Sequence, residues 1–171
     1  TQMLAIKEII PHIEEIRIAD KSFDRSEKCA REARLFGIPA LPVREAKDAE
    51  ADSEIIVTTT PSTRPVVRND WIEEGTHVNA IGADAPGKEE LDPDILLRAK
   101  IVVDDFEQAM HSGELNVPIS KSIIKKEDIY AEIGEIIVGK KEGRIAKNEI
   151  TVFSSTGLAI QDVATAWMIY Q

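Results

Sequence analysis

Short apolar, β-branched runs alternate with longer amphipathic stretches along nearly the whole chain. That alternation predicts a mostly parallel sheet with helices on its faces. Strands are predicted at Ile16 to Ala19, at Ala40 to Val43, where an edge position tolerates Pro42, and at Glu54 to Thr60, whose unbroken β-branched run marks it as buried. Val78 to Ile81, Ile101 to Val103 and Thr151 to Phe153 complete the strands, with a brief extended piece at Pro65 to Val67. Helical spacing covers Met3 to Ile10, Ser22 to Phe36, Arg44 to Ala51, Asp70 to Glu74 behind Asn69, Asp94 to Ala99, Phe106 to His111, Lys126 to Lys140 and Leu158 to Tyr170. Ser22 or Asp24 caps the second of these and Gly37 stops it. Asp92-Pro93 supplies a cap and a first-turn proline for the helix that follows. Gly113 to Lys125 reads as the mobile or ordering-dependent stretch of the chain.

The opening residues break this order. A parallel α/β unit starts with a strand and a turn, whereas Thr1 stands at the start of a helix. In a doubly wound sheet the first strand lies in the middle, beside the second and the fourth. The expected fold is therefore a Rossmann-like doubly wound parallel sheet that lacks its first strand and glycine-rich turn, and the chain reads as a piece of a longer protein.

Composition narrows the partners. The 171 residues are 43% hydrophobic and 30% charged, as in an ordinary globular protein. A net charge of −10 repels phosphate backbones and anionic membranes, so nucleic acid and membrane surfaces are excluded as partners. No apolar run approaches the ~18 residues of a membrane span. Cys29, the single cysteine, can form no internal disulfide and fits a reducing cytoplasm as a packing residue. His12, His77 and His111 are scattered without ligand spacing, so no metal site is expected.

The candidate chemistry lies at strand ends. Between Gly75 and Leu91 a strand runs into Gly82, then Asp84, then the Pro86-Gly87 turn. Gly82 allows close backbone approach to a flat ligand or a sharp bend. Asp84 falls just past the carboxyl end of a strand, where open α/β sheets bind their ligands. Asp20 ends the Ile16 strand at the place where a dinucleotide fold puts the acid that accepts from ribose hydroxyls. A carboxylate there repels a 2′-phosphate and favours NAD over NADP, an effect that neighbouring Lys21 weakens. Taken alone, an aspartate that begins the turn before Ser22 explains Asp20 equally well. Thr59, Thr60 and Pro61, in Thr58-Thr-Thr-Pro-Ser62, suit contact with a cofactor's ribose and base, although strands commonly end in threonine. In Ser154-Ser-Thr-Gly157, free amides and hydroxyls at a helix start can hold a carboxamide or carboxylate, and a plain Ser/Thr cap before Leu158 competes with that reading.

With these residues in view, the chain resembles the ornithine cyclodeaminase/mu-crystallin family, in particular its archaeal-type alanine dehydrogenases. The resemblance rests on Val57 to Ser62, Trp71 to Asp84, Pro86 to Leu91, Ala99 to Asp105 and Ser155 to Asp162, in order along the chain. It implies a dimeric, two-domain enzyme in which a Rossmann domain binds NAD(P) and a separate α/β domain supplies dimer contacts and much of the substrate pocket. Residues 1–153 would form the cofactor domain, and 154–171 a helix returning toward the other domain. The family's active-site aspartate falls on Asp84 and its ribose-binding acid on Asp20. Its cofactor-lining segments fall on Thr60, Asn79, Ile81 and Ser155, Thr156, Gly157 and Leu158. Ser154 stands where members often carry a charged residue. The implied reaction is hydride transfer from alanine to NAD, giving pyruvate and ammonia. Ornithine cyclodeamination to proline, reduction of ketimine or pyrroline-carboxylate substrates, and a non-catalytic NAD(P)-binding protein or inactive fragment are its rivals. All but the last two take a small amino or imino acid.

Overall fold

Between Thr1 and Ser53 the chain folds as α1 (Gln2–Ile9), β1 (Ile16–Ile18), α2 (Phe23–Leu35), β2 (Ala40–Pro42) and α3 (Ala46–Glu50). In this computed structural model, which describes residues 1–171, that stretch is one unit and Glu54–Gln171 is another. β1 and β2 pair in parallel, with Ile16 opposite Ala40 and Ile18 opposite Pro42. Pro42 is tolerated because β2 has no ladder on its other edge. α2 buries a face of small residues, Ser26, Ala30 and Ala33, and the two alanines pack with Ile38, Ala40, Met3, Ile16 and Ile18. Its end is a Schellman motif around Gly37, at φ +67°. Ile38 donates to the Ala33 carbonyl at 3.3 Å and Gly37 to that of Arg34 at 3.0 Å. Ser22 occupies the N-cap, but its hydroxyl makes no capping bond.

The second unit comprises β3 (Ile55–Thr58), β4 (Thr63–Val67), β5 (His77–Ala80), β6 (Glu89–Leu91), α4 (Pro93–Leu96), β7 (Ala99–Val103), α5 (Phe106–His111), α6 (Asn116–Ser120), β8 (Ile129–Glu132), α7 (Ile133–Ile137), β9 (Ile150–Ser154) and α8 (Ala159–Tyr170). Its main sheet runs β3-β5-β9-β7-β8 and every pairing is parallel. Val78, Ile101, Val103 and Val152 from this sheet pack with Leu91, Ile95, Leu115 and Ile124 in one core. Parallel pairing with covering helices is the expected α/β class. β1 is laddered only to β2 and β3 only to β5, which leaves each with an open edge.

Three expectations are corrected. The helix expected over Lys126 to Lys140 is a 3-10 turn, Lys126–Asp128, followed by β8 and the short α7. Ile129 and Ala131 are buried while Tyr130 and Glu132 are only partly so, a period of two that the edge of β7 captures through the Ile101–Ile129 pair. Gly113 to Lys125 does not read as mobile: Glu114 and Leu115 are fully buried, Pro118 and Ile124 join them, and the stretch contains α6. The third is β6, which lies where only a loop was expected and pairs with β4 through Thr63–Glu89 and Val67–Leu91. By contrast, Asp92 caps α4 as anticipated, accepting the Asp94 amide at 3.1 Å with Pro93 in the first turn.

Candidate active site

The main sheet brings the ends of its strands into one line. Thr58 stands opposite Ala80, Ala80 opposite Ser154, Ser154 opposite Val103 and Val103 opposite Glu132. Because every strand points the same way, the segments after β3, β5, β7 and β9 all leave at one rim. Thr59, Thr60 and Pro61 follow β3; Ile81, Gly82 and Asp84 follow β5; Ser155, Thr156, Gly157 and Leu158 follow β9. Asn79 lies within β5 rather than beyond it, and its side-chain oxygen is 3.2 Å from His77 Nε2. Burial pushes the His77 imidazole below its usual range, so at neutral pH Asn79 faces an uncharged ring.

Asp84 is exposed and paired with Lys88, four residues on across the Pro86-Gly87 turn. The hydrogen bond and the charge of that ammonium hold the Asp84 carboxyl below the usual carboxylate range. Its amide donates to the Gly82 carbonyl at 3.0 Å. The Gly87 turn behind it is held by Asn116, whose Oδ1 accepts the Gly87 amide at 2.8 Å and whose Nδ2 donates to the Lys88 carbonyl at 3.1 Å.

At Gly82 the close backbone approach is made to the protein itself. A Cβ there would overlap the amide nitrogen and carbonyl oxygen of Thr60 and come within 2.6 Å of Glu90 Oε1. The glycine is required by a crossing of backbones, before any ligand is considered. Gly82→Ala is accordingly expected to destabilise the protein by about 1–3 kcal/mol, as overpacking does. Gly134, with open space at its Cβ position in α7, is the control. In a urea titration of both variants, Gly134→Ala should be neutral or mildly stabilising.

The amides after β9 are not free. Asp104, buried at the exit of β7, accepts the Ser155 hydroxyl at 3.0 Å and the Thr156 and Gly157 amides at 2.8 and 2.9 Å, all on Oδ2. The Ser155 amide donates to the Ala80 carbonyl at 3.1 Å. Gln108 Nε2 donates to the Thr156 hydroxyl at 2.6 Å and to the Gly157 carbonyl at 2.8 Å. The register that sets Val103 beside Ser154 places an acid over the neighbouring strand's exit, and that acid takes the donors expected to receive a carboxylate or carboxamide. What this segment presents outward is the exposed Gly157.

Sequence reasoning missed the carboxylates beneath the rim. Glu90 and Glu114 are fully buried, and Glu89 and Asp104 nearly so. Glu90 Oε2 accepts the Thr58 hydroxyl at 2.7 Å and the Gly82 amide at 2.8 Å, while Oε1 accepts the Thr60 amide at 2.6 Å. Glu114 in turn accepts the amides of Glu90 at 3.0 Å and Leu91 at 2.6 Å. Burial pushes the Glu114 carboxyl up to about 8, against the opposing pull of those amides, with Glu90 and Glu89 adding to the rise. Adjacent glutamates before a leucine read as a solvated face; only their abundance of backbone donors marks them as interior.

Asp20 belongs to the other unit, two residues past the end of β1. Its Oδ1 accepts the Ser22 amide at 2.8 Å and Arg25 Nε at 2.9 Å. The Ser22 amide above all, then the Arg25 guanidinium, holds this carboxyl below the usual range. Oδ2 takes no such partner and is open to a hydroxyl donor. Within each unit the residues fit part of a dinucleotide: in the first, a carboxylate just past a strand end suits a ribose, and in the second, threonine-rich and glycine-containing loops lie at the rim.

The ornithine cyclodeaminase/mu-crystallin family model matches residues 1–171. Alanine dehydrogenase of Archaeoglobus fulgidus is 55% identical over 155 residues, covering 88% of this chain and 48% of that protein. An archaeal alanine dehydrogenase dimer solved with bound NAD superposes with a TM-score of 0.94 at 50% identity, over 99% of this chain and 52% of that one. Thermococcus litoralis Δ(1)-pyrroline-2-carboxylate reductase, solved with NADH and L-proline, gives 0.93 at 35% identity, over 99% and 53%. The chain spans about half the length of the curated relatives it matches. With a family model matched from its first residue to its last, on a parallel sheet whose loops meet at one rim, the chain belongs to the ornithine cyclodeaminase/mu-crystallin family.

Proposed function

We propose that these residues are the cofactor-binding part of an NAD-dependent amino-acid dehydrogenase that oxidises alanine to pyruvate and ammonia. The observation that carries this reading is Asp84: an exposed carboxylate, kept ionised by Lys88, at the rim where the loops after β3, β5 and β9 leave the sheet, in a chain so similar to alanine dehydrogenase. NAD, when bound, supplies the hydride acceptor. Asp20 would receive the ribose hydroxyls, and Thr59, Thr60, Pro61, Asn79, Ile81, Gly82 and Ser155 to Leu158 would line the cofactor. Asp84 would either attract the substrate ammonium in place of Lys88 or, after oxidation of the amine, act as general base on the water that converts the imine to pyruvate, a second group handling the other proton. Residues 154–171 would reach a second domain and the enzyme would work as a cytoplasmic homodimer. The unburied α8 supports that, since Ile160, Trp167 and Ile169 are all exposed along it. No helix is long and apolar enough to cross a membrane.

The test is the full-length protein with NAD and a panel of amino acids. NADH formation with alanine supports the proposal. Proline from ornithine without net NADH would instead identify a cyclodeaminase, and NADH consumption with Δ(1)-pyrroline-2-carboxylate a reductase. Asp20→Ala should raise the Michaelis constant for NAD and relax discrimination against NADP by about tenfold or more, since one well-placed hydrogen-bonded charge is worth roughly 1.5–3 kcal/mol. An unchanged NAD-to-NADP ratio of kcat/KM would remove Asp20 from the cofactor site.

A further inference from the structure

We propose that Glu90 is a positioning residue for Asp84, setting the exit of β5 against the exit of β3. It touches neither solvent nor any reacting group, yet its carboxylate joins the two loops that carry the candidate chemistry. The partners are Thr58 and Thr60 on one side and Gly82 on the other, at 2.7, 2.6 and 2.8 Å. A carboxylate offers about four lone-pair sites, so a single side chain can accept all of these donors at once. The missing Cβ at Gly82 lets the β5 exit close on both Glu90 and the Thr60 backbone. Asp84 is coupled to that contact directly, because its amide donates to the Gly82 carbonyl at 3.0 Å.

Glu90 is itself held from behind. Its amide and that of Leu91 donate to Glu114 at 3.0 and 2.6 Å, and the Glu114 amide donates to the Ser154 hydroxyl at the end of β9 at 3.3 Å. The hydrogen bonds therefore run without a break from β9 through two buried glutamates to β3 and β5. A glutamine at position 90 would turn an NH₂ group toward at least one of the donors that the carboxylate now receives. The rim would keep its fold but lose the fixed spacing between Thr60 and Gly82. A misplacement of about 1 Å at a reacting group is enough to lower turnover about 10²-fold.

The inference rests on the amino-acid dehydrogenase reading, and the experiment separates the two. In the full-length protein, Glu90→Gln is expected to lower kcat/KM for the amino acid about 10–100-fold, with the Kd for NADH within about threefold of the parent. In an Asp84→Asn background the same substitution should cost less than about threefold, because the group it positions is already gone. Equal losses in both backgrounds, or full activity of Glu90→Gln, would overturn the proposal. Hydrogen exchange supplies a readout that needs no substrate: the Thr60 and Gly82 amides should lose protection in Glu90→Gln while Val78 keeps it. If the parent oxidises no amino acid, the functional reading fails alone, and retained protection at Thr60 and Gly82 would still overturn the role of Glu90. Should Glu90→Gln fail to fold, Thr58→Val removes a single donor, and the same two-background comparison decides the matter.

Discussion

Replacing Asp84 with Asn in the full-length protein is expected to lower kcat for amino-acid oxidation by about 10²–10⁴-fold, the usual contribution of general acid–base catalysis. The Kd for NADH should stay within about twofold. Asparagine keeps the size of the side chain and its place after Gly82, but it can neither attract an ammonium by charge nor accept a proton. The structure makes this a clean change, because the only side-chain partner of Asp84 is Lys88, itself at the surface of the loop. The carboxyl is held below the usual carboxylate range, chiefly by its hydrogen bond to Lys88 and then by that charge, so the group is ionised and able to act as a base throughout the neutral range. Steady-state kinetics with saturating NAD, combined with NADH fluorescence titration, read the two quantities separately. Turnover equal to the parent's would dismiss Asp84 as the base.

Glu114 is expected to dominate the pH dependence of stability. Its carboxyl lies at about 8 in the folded protein, against 4.5 for the ordinary group, mainly because burial disfavours the charge. The sign follows from proton counts. Below 4.5 the side chain is protonated in both states and folding is not penalised. Above that pH the unfolded chain releases the proton while the folded one keeps it, so stability falls as pH rises, until the folded group also ionises near 8. At about 1.4 kcal/mol per unit, the whole effect is on the order of 5 kcal/mol, an upper figure for a group that also accepts backbone amides. Glu114→Gln removes the ionisation, and its carbonyl can still accept the Glu90 and Leu91 amides. The variant should therefore gain on the parent progressively between pH 5 and 8, an interval in which the parent loses this contribution. Urea unfolding at three pH values across that interval measures the gap. A constant difference between the two proteins would show that Glu114 does not titrate there.

Much of the architecture is legible in the sequence. The continuous β-branched run at Ile55–Thr58, and short apolar runs alternating with amphipathic stretches along the rest of the chain, are what a parallel sheet covered by helices requires, so the α/β class followed from the pattern. Local chemistry fixed the end of α2 at Gly37 and the start of α4 at Asp92-Pro93, since caps depend on the residues beside them. The position of Asp84 beyond a strand was readable for the same reason. Failures came where a distant partner decided. Ile129-Tyr-Ala-Glu132 satisfies a helical pattern as well as a strand's, and only the free edge of β7 selects the strand. Glu89-Glu-Leu91 looks solvated until β4 pairs with it and Glu114 covers its amides.

The chain's own order of residues therefore determined the class of fold, its helix ends and the acid at the tip of β5, because periodicity and capping act over a few neighbouring residues. The tertiary structure alone decided which donors remain available at the rim. Asp104 claims the amides after β9, and Glu90 claims those after β3 and β5. Those claims depend on strands far apart in sequence lying about 5 Å apart in the sheet, a distance that no local pattern encodes.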